Sequence, residues 1–205
     1  MTRRTRVIGL GNTILTDDGV GVYAAREVRR RLDGQFPDVD VVESEVAGFA
    51  LLELMAGWER VILIDAVAFD DTEPGEIFRI HPQDLRTSLR IRSVHEIDLP
   101  TALELGRRLD MGMPDEVLIF AVQAQDCLTL GERLNEPVKA ACARIVDMVV
   151  DEIGRATVGV NRRLLDDSNE HVARAACDGQ LTATNTSAGS LWSAGGSGPP
   201  NERRE

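Results

Sequence analysis

Apolar positions along the chain change period several times, and each change marks an element. Arg6–Gly11 carries a continuous apolar run, the mark of a strand buried on both faces. It breaks at Gly9 and Gly11. Val20, Ala24, Val28 and Leu32 then recur at spacing four, with arginines on the opposite side, which predicts a helix. Asp38–Glu45 is expected to form a second strand. Phe49, Leu51, Leu52, Leu54 and Met55 suggest a short helix after Gly48. Val61–Ile64 is apolar and β-branched, as in a central strand of a covered sheet, and Asp65 is expected to follow its end. Glu76–Ile80 is set off by the Pro74-Gly75 turn signal and reads as a further strand.

Arg86–Val94 is polar and reads as a loop. Leu99, Leu103, Gly106 and Leu109 mark a helix with Asp98 as N-cap and Pro100 in its first turn. Val117–Val122 is another buried strand. Pro137 opens a last helix with the stripe Val138, Cys142, Ile145, Val149 and Ile153, and Gly154 is expected to cap it. Strands alternating with helices predict an α/β fold: a three-layer, doubly wound, mostly parallel sheet with helices on both faces. Glu76–Ile80 is followed by a loop, which marks it as a candidate antiparallel exception. One domain is expected over 1–155. From Gly179 the sequence is rich in Gly, Ser, Thr, Ala and Pro, so 156–205 is expected to be a disordered tail. Trp192, isolated within it, reads either as a solvated aromatic or as a partner-docking anchor.

Composition narrows the function. A net charge of −11 disfavours nucleic acid and anionic membrane as partners. The three cysteines, Cys127, Cys142 and Cys177, have no CxxC spacing and read as reduced thiols of a cytoplasmic protein. No apolar run reaches the length of a membrane span. The basic-then-apolar start is too short and too broken by glycine to be a signal peptide.

Ligand sites of open α/β sheets form beyond the carboxyl ends of the strands. Three candidate residues converge there. Asp18, beside Asp17, sits at the mouth of the first helix. Asp65 is expected directly after the central strand. His95 lies in SVHEIDL, ahead of a later helix. Each has an ordinary reading: Asp18 as an acid favoured by the helix dipole, Asp65 as a loop cap, His95 as a surface histidine. Their joint placement at one sheet edge weakens those readings. Two carboxylates and one imidazole make a mixed hard and borderline ligand set, suited to Ni, Zn, Mn or Fe, with coordination positions left open.

Competing chemistries lack their residues. GxSxG and HExxH do not occur. A Cys127–His95 nucleophile is a minor alternative to an inert buried thiol. A dinucleotide site needs GxGxxG, but Ile14 stands where the third glycine belongs, and two acids at the helix mouth would repel a phosphate. Glu43 is placed to imitate the ribose-binding acid of such a site.

GLGNTILTDDGVG, ESEVAG followed by LLELMAGWERVILIDAV, and SVHEIDLPTALELG occur in that order. Together they resemble the hydrogenase maturation endopeptidases from Arg6 to about Gly154. The helix-mouth acid, often glutamate in the family, is here the shorter Asp18, and ESEVAG departs from the family's GT-containing loop. The resemblance implies that Asp18, Asp65 and His95 contact a metal and carry catalysis. It implies a metal-dependent endopeptidase, a hydrolase acting on a peptide bond. It further implies that the enzyme recognises nickel already inserted in the precursor large subunit of a nickel–iron hydrogenase and removes its C-terminal extension. Nickel would then be supplied by the substrate, with no nucleotide cofactor. The alternative on the same residues is a non-catalytic nickel-binding checkpoint or chaperone of hydrogenase assembly. The sequence does not fix the oligomeric state.

Overall fold

The computed structural model describes residues 3–46, 49–69, 71–85, 92–93 and 99–177. Two compact units are distinguished, Met1–Arg163 and Leu164–Glu205, and the sheet belongs to the first. The strands are β1 (Thr5–Leu10), β2 (Val39–Ser44), β3 (Arg60–Ala68), β4 (Ile77–Ile80), β5 (Arg92–Ser93) and β6 (Glu116–Gln123). The helices are α1 (Val20–Leu32), α2 (Ala50–Met55), α3 (Pro82–Leu85), α4 (Leu99–Arg108) and α5 (Glu136–Cys177). The sheet order is β2-β1-β3-β6-β4, with β5 added against β3. β1 pairs in parallel with β2 and β3, and β3 in parallel with β6. β4 runs antiparallel to β6, so the expected exception is observed.

Strand alternation divides the core into two layers. Ile62, Ile64, Leu118, Phe120 and Val122 face α1 and α5, meeting Val20, Ala24, Val28, Ile145 and Val149. Ile8, Leu10, Val61, Leu63, Val117 and Ile119 face α2 and α4, meeting Leu51, Leu52, Met55, Ala102 and Leu103. Both faces are covered, which explains the unbroken apolar runs of the central strands.

Three expectations need correction. The central strand does not stop at Ile64. It runs to Ala68, because β6 continues beside it and pairs Asp65 with Ala121, Ala66 with Val122 and Val67 with Gln123. Asp65 is therefore a strand residue rather than the first residue of a loop. Within the segment expected to be a polar loop, Arg92 and Ser93 pair antiparallel with Ala68 and Val67. Their partner is the same prolonged end of β3. Finally, Gly154 does not end α5, which continues to Cys177. A helical glycine costs about 1 kcal/mol relative to alanine but does not stop a helix, and no proline follows until Pro199. Residues 178–205, including Trp192, lie outside the described residues, as does the expected N-cap Asp98.

Candidate active site

The first glycine-rich turn brings a helix against the sheet rather than opening space for a phosphate. An added Cβ at Gly21 would lie 2.2 Å from the Leu10 carbonyl oxygen and 2.3 Å from that of Ile64. At Gly9 it would lie 2.2 Å from the Gly21 oxygen. Glycine on both sides lets the first turn of α1 rest directly on the carboxyl ends of β1 and β3. Gly11 has φ +134°, and a Cβ there would meet the Asp18 carbonyl oxygen at 1.8 Å. The chain can turn back over itself only with glycine at that position. Residues Thr16–Gly19 form one 3-10 turn ahead of α1, and this turn holds both acids.

The two neighbouring acids have different surroundings. Asp17 is fully buried. Its Oδ2 accepts the backbone N–H of Gln125 at 2.9 Å and of Asp126 at 3.0 Å, and the Asn135 side-chain amide at 2.9 Å. Its Oδ1 accepts the Asn135 backbone N–H at 2.7 Å. Asp17 thus ties the β1–α1 turn to the loop after β6 and to the residue before α5. Asp18, also buried, accepts the Asn12 N–H on Oδ2 at 2.7 Å. Sequence reasoning treated the pair as one cation-favouring mouth and missed the clamp formed by Asp17. The readable signal was Asn135 just ahead of a helix, but nothing local connects it to a residue 118 positions earlier.

Asp65 is buried, and its Oδ1 accepts the Ala66 N–H at 2.8 Å. It follows Ile64, which is level with Gly9 of β1, so it lies level with the end of β1. Asp18 stands three residues before Gly21, which rests on Leu10 and Ile64. The two acids therefore share the carboxyl edge of the parallel sheet. His95 lies outside the described residues. Among the described residues no three His, Cys, Asp or Glu side chains form a group able to hold a metal ion.

Cys127 reports the field at this edge. Its thiol is pushed up to about 12, first by burial and then by the charges of Asp18, Asp17, Asp65 and Asp126. Burial and the neighbouring negative charges both disfavour the thiolate. A nucleophilic role for Cys127 is therefore unsupported. Peptide-resolved iodoacetamide labelling of the native protein at pH 7 should find Cys127 nearly unmodified, and Cys127→Ser should retain the wild-type activity within about two-fold. Rapid native-state labelling of Cys127 would contradict the account of a buried, unactivated thiol. Glu43 is also accounted for: Arg26 and Arg29 bind it at 2.9 and 3.0 Å. It faces those cations rather than a ribose.

Fold and edge define the class: a doubly wound α/β protein with paired buried carboxylates where such sheets place their sites. The comparisons with known proteins then give the family. The family model for hydrogenase maturation protease matches residues 22–152, and the chain belongs to that family of proteases. The matched stretch includes Asp65 and His95 and begins just after Asp18. A hydrogenase expression/formation protein of Bradyrhizobium diazoefficiens is 26% identical over 163 residues, covering 78% of this chain and 83% of its own. The [NiFe] hydrogenase maturation protease HybD from Thermococcus kodakarensis superposes with a TM-score of 0.57 at 26% identity, over 73% of this chain and 99% of its own. The hydrogenase maturating endopeptidase HybD from E. coli shares the fold, with a TM-score of 0.61 at 22% identity, over 75% of this chain and 93% of its own. Among the described residues no helix is long and apolar enough to cross a membrane.

Proposed function

We propose that this protease recognises nickel in the precursor large subunit of a nickel–iron hydrogenase and removes the precursor's C-terminal extension. The observation that carries this reading is the placement of two buried carboxylates, Asp18 and Asp65, on one sheet edge of a hydrogenase maturation protease. Their combined negative field, felt at Cys127, suits a cation. In this reading the metal belongs to the substrate. Asp18, Asp65 and His95 offer it two oxygens and one imidazole nitrogen, and open positions remain for the precursor's own ligands. Held beside the scissile carbonyl, the substrate's metal would supply Lewis-acid polarisation. Asp18 or Asp65 then serves as general base for the attacking water. No side-chain nucleophile is required.

The test is incubation of the chain with precursor large subunit in nickel-loaded and nickel-free forms, read by intact mass. Loss of a C-terminal fragment from the loaded form alone is expected. Cleavage of both forms would remove metal recognition from the account. Binding of the loaded form without any mass loss would favour the non-catalytic checkpoint.

A further inference from the structure

We propose that the paired loops 12–16 and 126–132 form a preformed platform on which the protein substrate docks an apolar segment, with Ile14, Leu128 and Leu130 as the contacts. This rests on the reading that the adjoining edge receives a protein substrate. Leu128 is 88% exposed, Leu130 75% and Ile14 52%. Surface leucines scattered singly need no explanation, but these three lie on two loops that are bonded to each other. The Gly131 N–H donates to the Ile14 carbonyl at 3.0 Å, and the Thr16 N–H to the Gly131 carbonyl at 2.8 Å. Leu15 and Gly131 form a parallel bridge. The Thr16 hydroxyl donates to the Thr129 carbonyl at 2.6 Å, and the Tyr23 hydroxyl to the Glu132 carbonyl at 2.9 Å. The Leu128 and Thr129 N–H groups bond Asp126 Oδ1 at 2.9 and 3.0 Å.

The chain thus fixes the loop backbones while leaving their apolar side chains in water. A partner meeting such a surface loses little entropy to loop ordering, and clustered apolar anchors supply the binding energy. The occupant follows from continuity with the site. Asp17 bonds the N–H groups of Gln125 and Asp126 at the root of one loop, and Asp18 bonds the N–H of Asn12 at the root of the other. A polypeptide seated on the platform therefore lies beside the candidate carboxylates. A second copy of this chain is the weaker candidate, since each copy carries −11.

The test compares wild type, the double variant Leu128→Asp/Leu130→Asp and the control Leu109→Asp. Leu109 is 62% exposed and follows α4, in the connection that leads to the start of β6 and hence to the opposite edge. The probe is the nickel-loaded precursor large subunit, immobilised for biolayer interferometry, with cleavage followed separately by mass. Far-UV circular dichroism and melting temperature confirm that each variant is folded. The expected result is at least ten-fold weaker binding and a similarly raised KM for the double variant, with kcat at saturation changed little and the control like wild type. Wild-type affinity in a folded double variant overturns the platform, even where cleavage proceeds normally. Wild-type binding without cleavage, lost in the double variant, supports the platform while overturning the protease reading. Failure of wild type to bind any precursor overturns both. A wild-type dimer that the double variant dissociates, seen by sedimentation, would assign the surface to self-association and overturn the proposal.

Discussion

Asp17→Ala is expected to destabilise the protein by about 3–5 kcal/mol, although Asp17 lies one residue from a candidate catalytic acid. The carboxylate accepts the backbone N–H groups of Gln125, Asp126 and Asn135 together with the Asn135 side-chain amide. Each buried donor left without an acceptor costs about 1–3 kcal/mol, and water entering the small cavity recovers part of the sum. For a chain of this size the loss corresponds to a fall in melting temperature on the order of 10 °C. Asp18→Asn should behave differently. It removes a charge but keeps an oxygen for the Asn12 N–H, so stability should change by no more than about 1–2 kcal/mol while cleavage falls sharply. Thermal unfolding of both variants, alongside a cleavage assay, separates the two roles. An unchanged melting temperature for Asp17→Ala would refute the clamp.

Asp65→Asn and His95→Ala should each slow removal of the precursor's extension by about 10²–10⁴-fold, the usual range for losing a positioned base or an equivalent catalytic group. Neither change deletes apolar core volume. Asp65→Asn also keeps an oxygen able to accept the Ala66 N–H, so the fold should survive. Under the proposed function, wild type shortens only nickel-loaded precursor, and the variants shorten neither form efficiently. Two folded variants that cleave loaded precursor at the wild-type rate would sink the metal-recognition mechanism. Precursor binding should weaken less than cleavage in these variants, because the platform at Ile14, Leu128 and Leu130 is untouched.

Local pattern alone carried the alternation of elements. Val20, Ala24, Val28 and Leu32 form the buried face of α1, as their spacing of four requires. Val61–Ile64 and Val117–Val122 are unbroken apolar runs because helices cover both faces of the sheet there. Asp18 and Asp65 stood out as candidates, since each follows a glycine turn or a buried run where core packing has no use for an acid. The limits of those elements were not legible. β3 passes Asp65 to Ala68 because β6 and β5 offer it hydrogen-bond partners, and pairing of that kind is encoded in strands far along the chain. The helix over Gly154 continues because one glycine weakens a helix without ending it.

The sequence by itself therefore determined the α/β class and the family resemblance, and it named the candidate site residues, because periodicity and short motifs are local properties. Only the tertiary structure separated Asp17, the clamp, from Asp18 at the candidate site. It alone also joined loop 12–16 to loop 126–132 beneath three exposed apolar side chains. Both outcomes depend on hydrogen bonds between residues more than a hundred positions apart. Such partners are chosen by how the strands stack, and no window of sequence contains both ends of the bond.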